Sequence, residues 1–519
     1  MPNPASRGRL TFWGSDAAEL FSRELDESFE GVLAHNLIHD PADPMVGFVS
    51  ASIDGRPWTD TMWTRDAGVF LRELVQWGEL ETACLAAARL IDLVQTNSEG
   101  YNTFPMFFQR GQPGSGSELD GTGAIIIGLV LLWERLPAGH PTREQIAAFL
   151  DGPASPLVYI LRRLEGHPLI PGSGEFGGGC GIEGDFYNVV QNNLVRLALL
   201  AAARLEHTAN RHERAANYTR AADQLTANML RLLRDASGAW LWNICIDTLQ
   251  PDPAIIYHPI NKGFGGLNAV LAMNADVEGL VLTGSDRPDT PASILTFEQL
   301  LAFPLRKQEF DRHGAWTQFD EYGNGLMTGP SYGQGYAAQA MLLMDRLDLA
   351  GKAVDFLARV TYQPCPGNDL DRWSPYLFYE RIYLPELWEQ SKASGWTFPM
   401  FDGQRFDQGC GALNLVCVAE PLKIARLIAG VDDADPARLR LAPRLLPGWM
   451  GFRAENWPVL TTNGVLRLDL TCERQPDGLR LAVKVRDGLI PTLEVRLPAH
   501  NGYSRQTASQ VKEAVFTRQ

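Results

Sequence analysis

Two acids stand two residues apart at the end of a glycine run, Gly177-Gly178-Gly179-Cys180-Gly181-Ile182-Glu183-Gly184-Asp185-Phe186-Tyr187. Glycines let the backbone pass close to a bulky group or take φ > 0 without steric cost. A helical pattern from Asn188 to Leu205 follows at once, so Glu183 and Asp185 ride on a loop carried by a rigid element. Loops of that kind are where catalytic groups concentrate. The simpler account makes Asp185 a helix N-cap, which Asp serves well. Further carboxylates come late in the chain. Glu380 lies in the aromatic stretch Arg372-Trp373-Ser374-Pro375-Tyr376-Leu377-Phe378-Tyr379-Glu380-Arg381, with Glu386 and Asp407 beyond it. Its simpler account is an ion pair with Arg381 or Arg372, since such pairs also set acids beside arginines.

Aromatic residues point to what such acids could act on. Trp58, Trp63, Phe107, Phe108, Trp316, Tyr322, Tyr332, Trp373 and Tyr376 fall between helical patterns rather than on their apolar faces. Flat rings cover the CH-rich face of a sugar, while Asp, Glu, Asn and Arg take its hydroxyls. Large loops also pack on themselves through such rings. Asp120 and Glu321 are further pocket candidates, and Asp120 would serve equally as an N-cap where it opens a helix. His258 and His313 are isolated in loops.

The elements that must carry these groups are mostly helical. Apolar periodicity predicts helices over 16–38, 65–77, 79–94, 119–135, 156–164, 188–206, 211–233, 263–273, 293–301, 332–347, 351–360 and 411–428. That is about a dozen, with boundaries uncertain by a few residues. Tight turns alternate with long, glycine- and aromatic-rich connections, as in a closed toroid of helical hairpins whose long loops all lie on one face. No sequence repeat marks a solenoid. After Gly430 the period changes to two, in Leu439–Leu441, Val465–Leu470, Leu479–Val485 and Leu493–Leu497, which predicts antiparallel strands. The expected organisation is a helical domain over 1–434, a β domain over 435–500 and a loosely held polar tail over 501–519.

Composition excludes several classes of function. A net charge of −15 argues against nucleic-acid binding, which needs clustered Lys and Arg. No apolar run has the length of a membrane span, so no membrane partner is expected. Seven cysteines without CxxC spacing suit a reduced, cytoplasmic protein and give no zinc signature. No metal or cofactor is expected. Assembly into a homo-oligomer stays open.

Five short motifs, in order along the chain, resemble those of the six-hairpin (α/α)6-barrel glycosidases. Trp63-Thr64-Arg65-Asp66 resembles the W-x-R-D found early in these barrels. Glu183-Gly184-Asp185-Phe186 resembles a shortened E-S-G-W-D-F/N of trehalases and glucosidase I. Val190-Gln191-Asn192-Asn193 resembles the V-D-N-N of maltose phosphorylases. Gln408-Gly409-Cys410-Gly411-Ala412-Leu413-Asn414 is similar to the glycine-rich motif at the last barrel helix of trehalases. Leu441-Ala442-Pro443-Arg444-Leu445-Leu446-Pro447-Gly448-Trp449 is similar to the entry to the phosphorylases' C-terminal β domain. Two residues are missing between Glu183 and Asp185 relative to trehalase, and Asp stands where phosphorylases have Glu.

The resemblance implies a mainly α fold, an (α/α)6 toroid followed by a small antiparallel β domain. It implies an exo-acting, inverting glycoside hydrolase with a carbohydrate substrate. Asp185 would be the general acid, with Glu183 as the neighbouring charge that keeps it protonated. Glu380 would be the base, with Asp407 and then Glu386 as alternatives. Trp63, Arg65 and Asp66 would hold the terminal sugar, with Asp120, Glu183, Trp316, Glu321, Trp373 and Asp407 around it. An inverting glycoside phosphorylase is the alternative activity, although no phosphate cradle is evident near Gln408–Gly411. A sugar epimerase or polysaccharide lyase on the same toroid would turn to His258 or His313.

Overall fold

A computed structural model describes residues 7–52, 60–114, 119–172, 186–251, 262–280, 290–302, 310–311, 328–362, 381–383, 414–499 and 502–517. Six helices form an inner ring: Thr64–Trp77, Leu119–Arg135, Val189–Thr208, Lys262–Glu278, Ser331–Leu343 and Leu415–Ala429. Each packs against the next, and the sixth returns to the first. Between them in sequence run the outer helices Asp16–His35, Leu80–Leu93, Pro141–Asp151, His212–Leu232, Thr290–Ala302 and Leu347–Tyr362, with a short extra helix at Pro156–Arg163. The chain is therefore the mainly α toroid expected, followed by an antiparallel β region.

Burial sorts the two rings. Every residue of Leu415–Ala429 is buried, as a helix enclosed on all sides requires. In Asp16–His35 only one face is buried, including Phe21, Leu25, Phe29 and Val32. Inner helices pass to outer ones through short turns at 78–79, 209–211 and 344–346, whereas outer helices pass to inner ones through 36–63, 94–118, 233–261, 303–330 and 363–414. Alternate helices run in opposite directions, so all six inner N-termini face one end, where the strand pairs Thr61–Trp63 with Phe107–Gln109 and Phe186–Asn188 with Asn243–Cys245 lie. The helix Pro141–Asp151 was not expected. Pro141 at its first turn, the His140 cap and the apolar face of Ile146, Phe149 and Leu150 account for it.

The toroid's interior is closed by charge. Asp276 of the fourth inner helix accepts from Arg72 Nη1 at 2.9 Å, Lys423 Nζ at 2.6 Å and Arg426 Nη2 at 3.2 Å. Glu73 accepts from Arg426 Nε at 2.8 Å. Arg72 and Glu73 sit on the first inner helix, directly across the ring from Asp276, and Lys423 and Arg426 on the sixth. All five are buried. Burial alone would raise the Asp276 carboxyl, but Lys423, Arg72 and Arg426 together hold it well below the usual carboxylate range.

The β module has a five-stranded sheet in the order Arg9–Trp13, Gly451–Thr461, Gly464–Gln475, Gly478–Val485 and Glu513–Thr517. A four-stranded sheet runs Val431–Asp432, Leu439–Leu441, Ile490–Ala499 and Gly502–Val511. Leu470 pairs with Val483 and Cys472 with Leu481, which puts both pairs on one buried face. Two expectations are corrected here. The stretch after 501 is not a loose tail: residues 502–511 and 513–517 pair into both sheets. Its Ser, Thr and Gln side chains hid the alternation, and the backbone supplies the pairing. The N-terminal strand Arg9–Trp13 also belongs to this module, paired with Gly451–Glu455. Among the described residues, no helix is long and apolar enough to cross a membrane.

Two outcomes test this account. Asp276→Ala would leave three cations buried without their shared carboxylate, and should lower unfolding free energy by about 3–5 kcal/mol, read from urea denaturation. Glu24, fully buried in the first outer helix, has no hydrogen-bond partner at either carboxyl oxygen, and burial pushes it from its usual 4.5 up to about 10. The folded state therefore binds one proton more than the unfolded state between those values, so this group's contribution to stability falls as pH rises. Glu24→Leu should gain stability over the parent as pH rises from 5 to 9, by up to about 1.4 kcal/mol per pH unit in urea denaturation.

Candidate active site

The site is built at the N-terminal ends of the first two inner helices. Strand Thr61–Trp63 pairs with Phe107–Gln109, setting Trp63 opposite Phe107 with ring centroids 5.3 Å apart. Both rings are half-buried, while Phe108, which points the other way, belongs to the core. Thr64 opens the first inner helix and pins it to the neighbouring segment: its N–H donates to Met106 O at 3.1 Å and its Oγ1 to Pro105 O at 2.9 Å. Arg65 and Asp66 follow immediately and are buried.

The second inner helix adds Asp120. Gly121 lies so close to Thr64 Oγ1 that any side chain there would strike it. That close approach brings the first turns of the two helices together. Arg65 Nη1 then stands 3.7 Å from Asp120 Oδ2, and Arg65 Nη2 stands 3.6 Å from Asp66 Oδ1. Asp120 Oδ1 accepts from the Gly121 N–H at 2.9 Å. One guanidinium is thus flanked by two carboxylates, all three less than a tenth exposed, beside an aromatic pair. Carboxylates in the first turn of a helix are favoured by the dipole. The arrangement offers planar donors and charged acceptors to a polyhydroxylated ligand, with a flat apolar surface next to them.

The third inner helix is capped by Asn188, whose side chain accepts from the N–H groups of Val190 and Gln191 at 2.8 and 3.0 Å. The cap is therefore not Asp185, which corrects the simpler reading of that acid. Gly172 N–H donates to Phe186 O and Pro171 bridges to Tyr187, so residues 172 and 186 lie side by side. Asn192 and Gln191, which the sequence placed in a motif, work on the backbone here. They donate to Ile170 O and Pro171 O.

Of the residues expected in the site, Trp63, Arg65, Asp66 and Asp120 are described, and they come together. Glu183, Asp185, Trp316, Glu321, Trp373, Glu380, Glu386 and Asp407, as well as His258 and His313, lie outside the described residues. Two groups were missed. Glu420 of the sixth inner helix and Tyr336 of the fifth are buried in the toroid, and Tyr336 feels the charges of Glu420, Arg72, Arg65 and Asp66. Burial and Glu420 hold its hydroxyl well above the usual tyrosine value, so it stays a neutral donor. The signal for Glu420 was a lone acid in an otherwise apolar stretch, Leu415–Glu420. Among the described residues, no group of three His, Cys, Asp or Glu is arranged to hold a metal ion.

A cavity of about 730 Å³ lies at the opposite end, lined among others by Glu134, Arg204, His207, His212 and Glu278. It gathers at the C-terminal ends of inner helices and contains no Trp, Tyr or Phe, so it lacks the sugar-covering surface of the other end.

No protein-family model matches the sequence, and no curated protein matches it. Solved structures do match. The α-L-rhamnosidase of Aspergillus terreus superposes over 98% of this chain and 50% of its own at 12% identity, with a TM-score of 0.53. The α-L-rhamnosidase of Dictyoglumus thermophilum superposes over 98% of this chain and 50% of its own at 9% identity, with a TM-score of 0.55. The glucoamylase of Saccharomycopsis fibuligera covers 80% of this chain and 96% of its own at 12% identity, with a TM-score of 0.54. The chain spans about half the length of the rhamnosidases it matches. At these identities the likeness shows the fold alone, an (α/α)6 toroid of helical hairpins.

Gly121→Ala tests the close approach that forms the site. The new methyl should push Thr64 aside and cost about 1–3 kcal/mol. Thr64→Ala in the same chain should relieve most of that loss, so a double-mutant cycle in urea should be clearly non-additive. Additive effects would mean that the two helices do not meet there.

Proposed function

We propose that this chain is a glycoside hydrolase that removes a terminal sugar from an oligosaccharide or glycoside, with inversion at the anomeric carbon. The observation that carries the reading is the buried Arg65–Asp66–Asp120 group beside the Trp63–Phe107 pair, at the N-terminal end of the inner helices. The rhamnosidase and glucoamylase names attached to similar structures support a glycosidic substrate. The exo-acting reading is supported by the charge network below. Arg72, Asp276, Lys423 and Arg426 fill the axis, so a sugar entering from the N-terminal end meets a floor and admits only a chain end.

In the proposed reaction Arg65 and Asp66 bind hydroxyls of the terminal sugar and Trp63 covers its apolar face. Asp185, three residues before the Asn188 cap, gives its proton to the glycosidic oxygen as the C–O bond breaks. Glu380 takes a proton from the water that attacks the opposite face, with Asp407 as its substitute. Two carboxyl groups roughly 6.5–9.5 Å apart leave room for that water. We also place the protein in a reducing, cytoplasmic setting, because the four described cysteines, Cys84, Cys245, Cys417 and Cys472, are all free thiols.

A panel of aryl glycosides, including α-L-rhamnoside and α-D-glucoside, should reveal activity that needs neither added phosphate nor metal and survives a chelator. Asp66→Ala should lower kcat/KM by 10-fold or more, on the order of one lost charged hydrogen bond. Asp185→Asn should cost about 10²–10⁴-fold on substrates with poor leaving groups and much less on activated aryl glycosides. Glu380→Gln should lose turnover on both. Proton NMR of the first-formed product should show the inverted anomer; a retained configuration would rule the scheme out.

A further inference from the structure

One row of residues crosses the three-stranded sheet at the site end, and the proposed reaction uses only its first member. Trp63 stands opposite Phe107 where Thr61–Trp63 pairs with Phe107–Gln109. On the other side of that middle strand, Phe108 faces Pro113 and Gln109 faces Gln112. The next residue in this register, opposite Phe107, is Gly114, and its N–H donates to Phe107 O at 2.8 Å. Alternate residues of a strand share a face, so Trp63, Phe107 and Gly114 lie on one face of the sheet. The following row on that face, Thr61, Gln109 and Gln112, is polar.

Gly114 ends the aromatic row without a side chain. Glycine weakens a strand, and within one it often marks a place that another group approaches closely. Here that group is the Phe107 ring: a methyl at 114 would stand 2.5 Å from its Cε2 and Cζ. The phenyl ring therefore leans over the Gly114 backbone, while its centroid stays 5.3 Å from that of Trp63 at an interplanar angle of 43°. Two half-buried rings set at such an angle make a shallow apolar step. A row that served the sheet alone would gain from a third side chain at 114.

The step is tied to the polar group beside it. Met106, next to Phe107, accepts the Thr64 N–H and the Thr64 hydroxyl, each at 3.1 Å. Arg65 and Asp66 follow Thr64 directly. Hydrogen bonds thus fix the strand carrying Phe107 to the helical turn carrying the charged pair.

We propose that Phe107 is a second sugar-binding ring: with Trp63 it forms the apolar wall of the site, and the missing side chain at 114 sets its lean. This rests on the proposed function above and adds a substrate contact to it. The wall acts in binding rather than in bond breaking, so its effect belongs in KM.

The test uses the full-length protein and whichever aryl glycoside the wild type cleaves. Phe107→Leu keeps apolar bulk and removes the ring, Phe107→Tyr keeps the ring, and Gly114→Ala displaces it. The Gly114 backbone is not left-handed, so alanine adds only that contact. Phe107→Leu should raise KM by about 2–10-fold, the scale of one aromatic contact, and leave kcat unchanged. Phe107→Tyr should keep the wild-type KM. Gly114→Ala should raise KM too, but not when combined with Phe107→Leu, which leaves no ring to displace. The Ki of the released sugar should rise in parallel, assigning the contact to the sugar and not to the aryl group. An unchanged KM or Ki in Phe107→Leu, additive effects, or a loss confined to kcat would overturn the proposal. Should Phe107→Leu fail to fold, Gly114→Ala decides alone: a raised KM and Ki support the wall, and unchanged values overturn it. If the wild type cleaves no glycoside, the glycosidase reading fails on its own. Calorimetric titration with the free sugars of the panel then decides: binding weakened by Phe107→Leu supports the wall, and no binding, or binding left unchanged, overturns it.

Discussion

Asp276, held by Arg72, Lys423 and Arg426, is the contact on which the toroid depends. Six helices in a ring enclose an axis that their own backbones cannot fill. Apolar side chains would fill it without direction, whereas ion pairs hold only in a narrow set of geometries. The pairs here tie the first, fourth and sixth inner helices, and so fix how each is rotated about its own axis. Arg65 precedes Arg72 by seven residues and Asp66 precedes Glu73 by seven, which is about two turns, or roughly 10 Å along one face. Locking Arg72 and Glu73 towards the axis therefore aims Arg65 and Asp66 towards it as well. A network with no part in the chemistry sets the direction of the groups proposed to bind substrate.

The interior is graded along its length. At the open end, helix N-termini present partial positive charge, answered by Asp66 and Asp120 in the first turns. Deeper in the ring lies a dense cluster of three cations and two carboxylates, with an excess of one positive charge. The sugar proposed as its ligand carries no charge, so such a site would attract it through hydrogen bonds. Bonds to ionised groups are roughly twice as strong as neutral ones. Arg65, Asp66 and Asp120 are nearly dry, and each carboxylate stands within 3.7 Å of the one guanidinium, so none of the three is isolated in the protein.

Much of this was legible in the sequence, and the reasons differ by element. Helices such as Leu119–Arg135 and His212–Leu232 announced themselves because a long periodic pattern is hard to mistake. The outer helix Pro141–Asp151 escaped because its buried face is only Ile146, Phe149 and Leu150. The strand Gly502–Val511 escaped because Ser504–Ser509 is polar apart from Ala508, leaving no apolar period to read. In the site, Trp63, Arg65, Asp66 and Asp120 could be named from motif and type. Glu420 could not: it lies against Gly335, eighty-five positions earlier, and only the packing of two helices brings them together.

The pairing of Arg9–Trp13 with Gly451–Glu455 bears on how the molecule comes into being. The first outer helix likewise packs against the last outer helix and the sixth inner one. A ribosome extending the chain at about 5–20 residues per second takes on the order of half a minute to deliver the partners of its first strand. Through that interval the strand offers a bare hydrogen-bonding edge, and the half-made toroid has no seam to close. Productive folding must wait for the strand at Gly451–Glu455. Sheltering the early helices through that interval is thus the task that this architecture hands to the cell's chaperones.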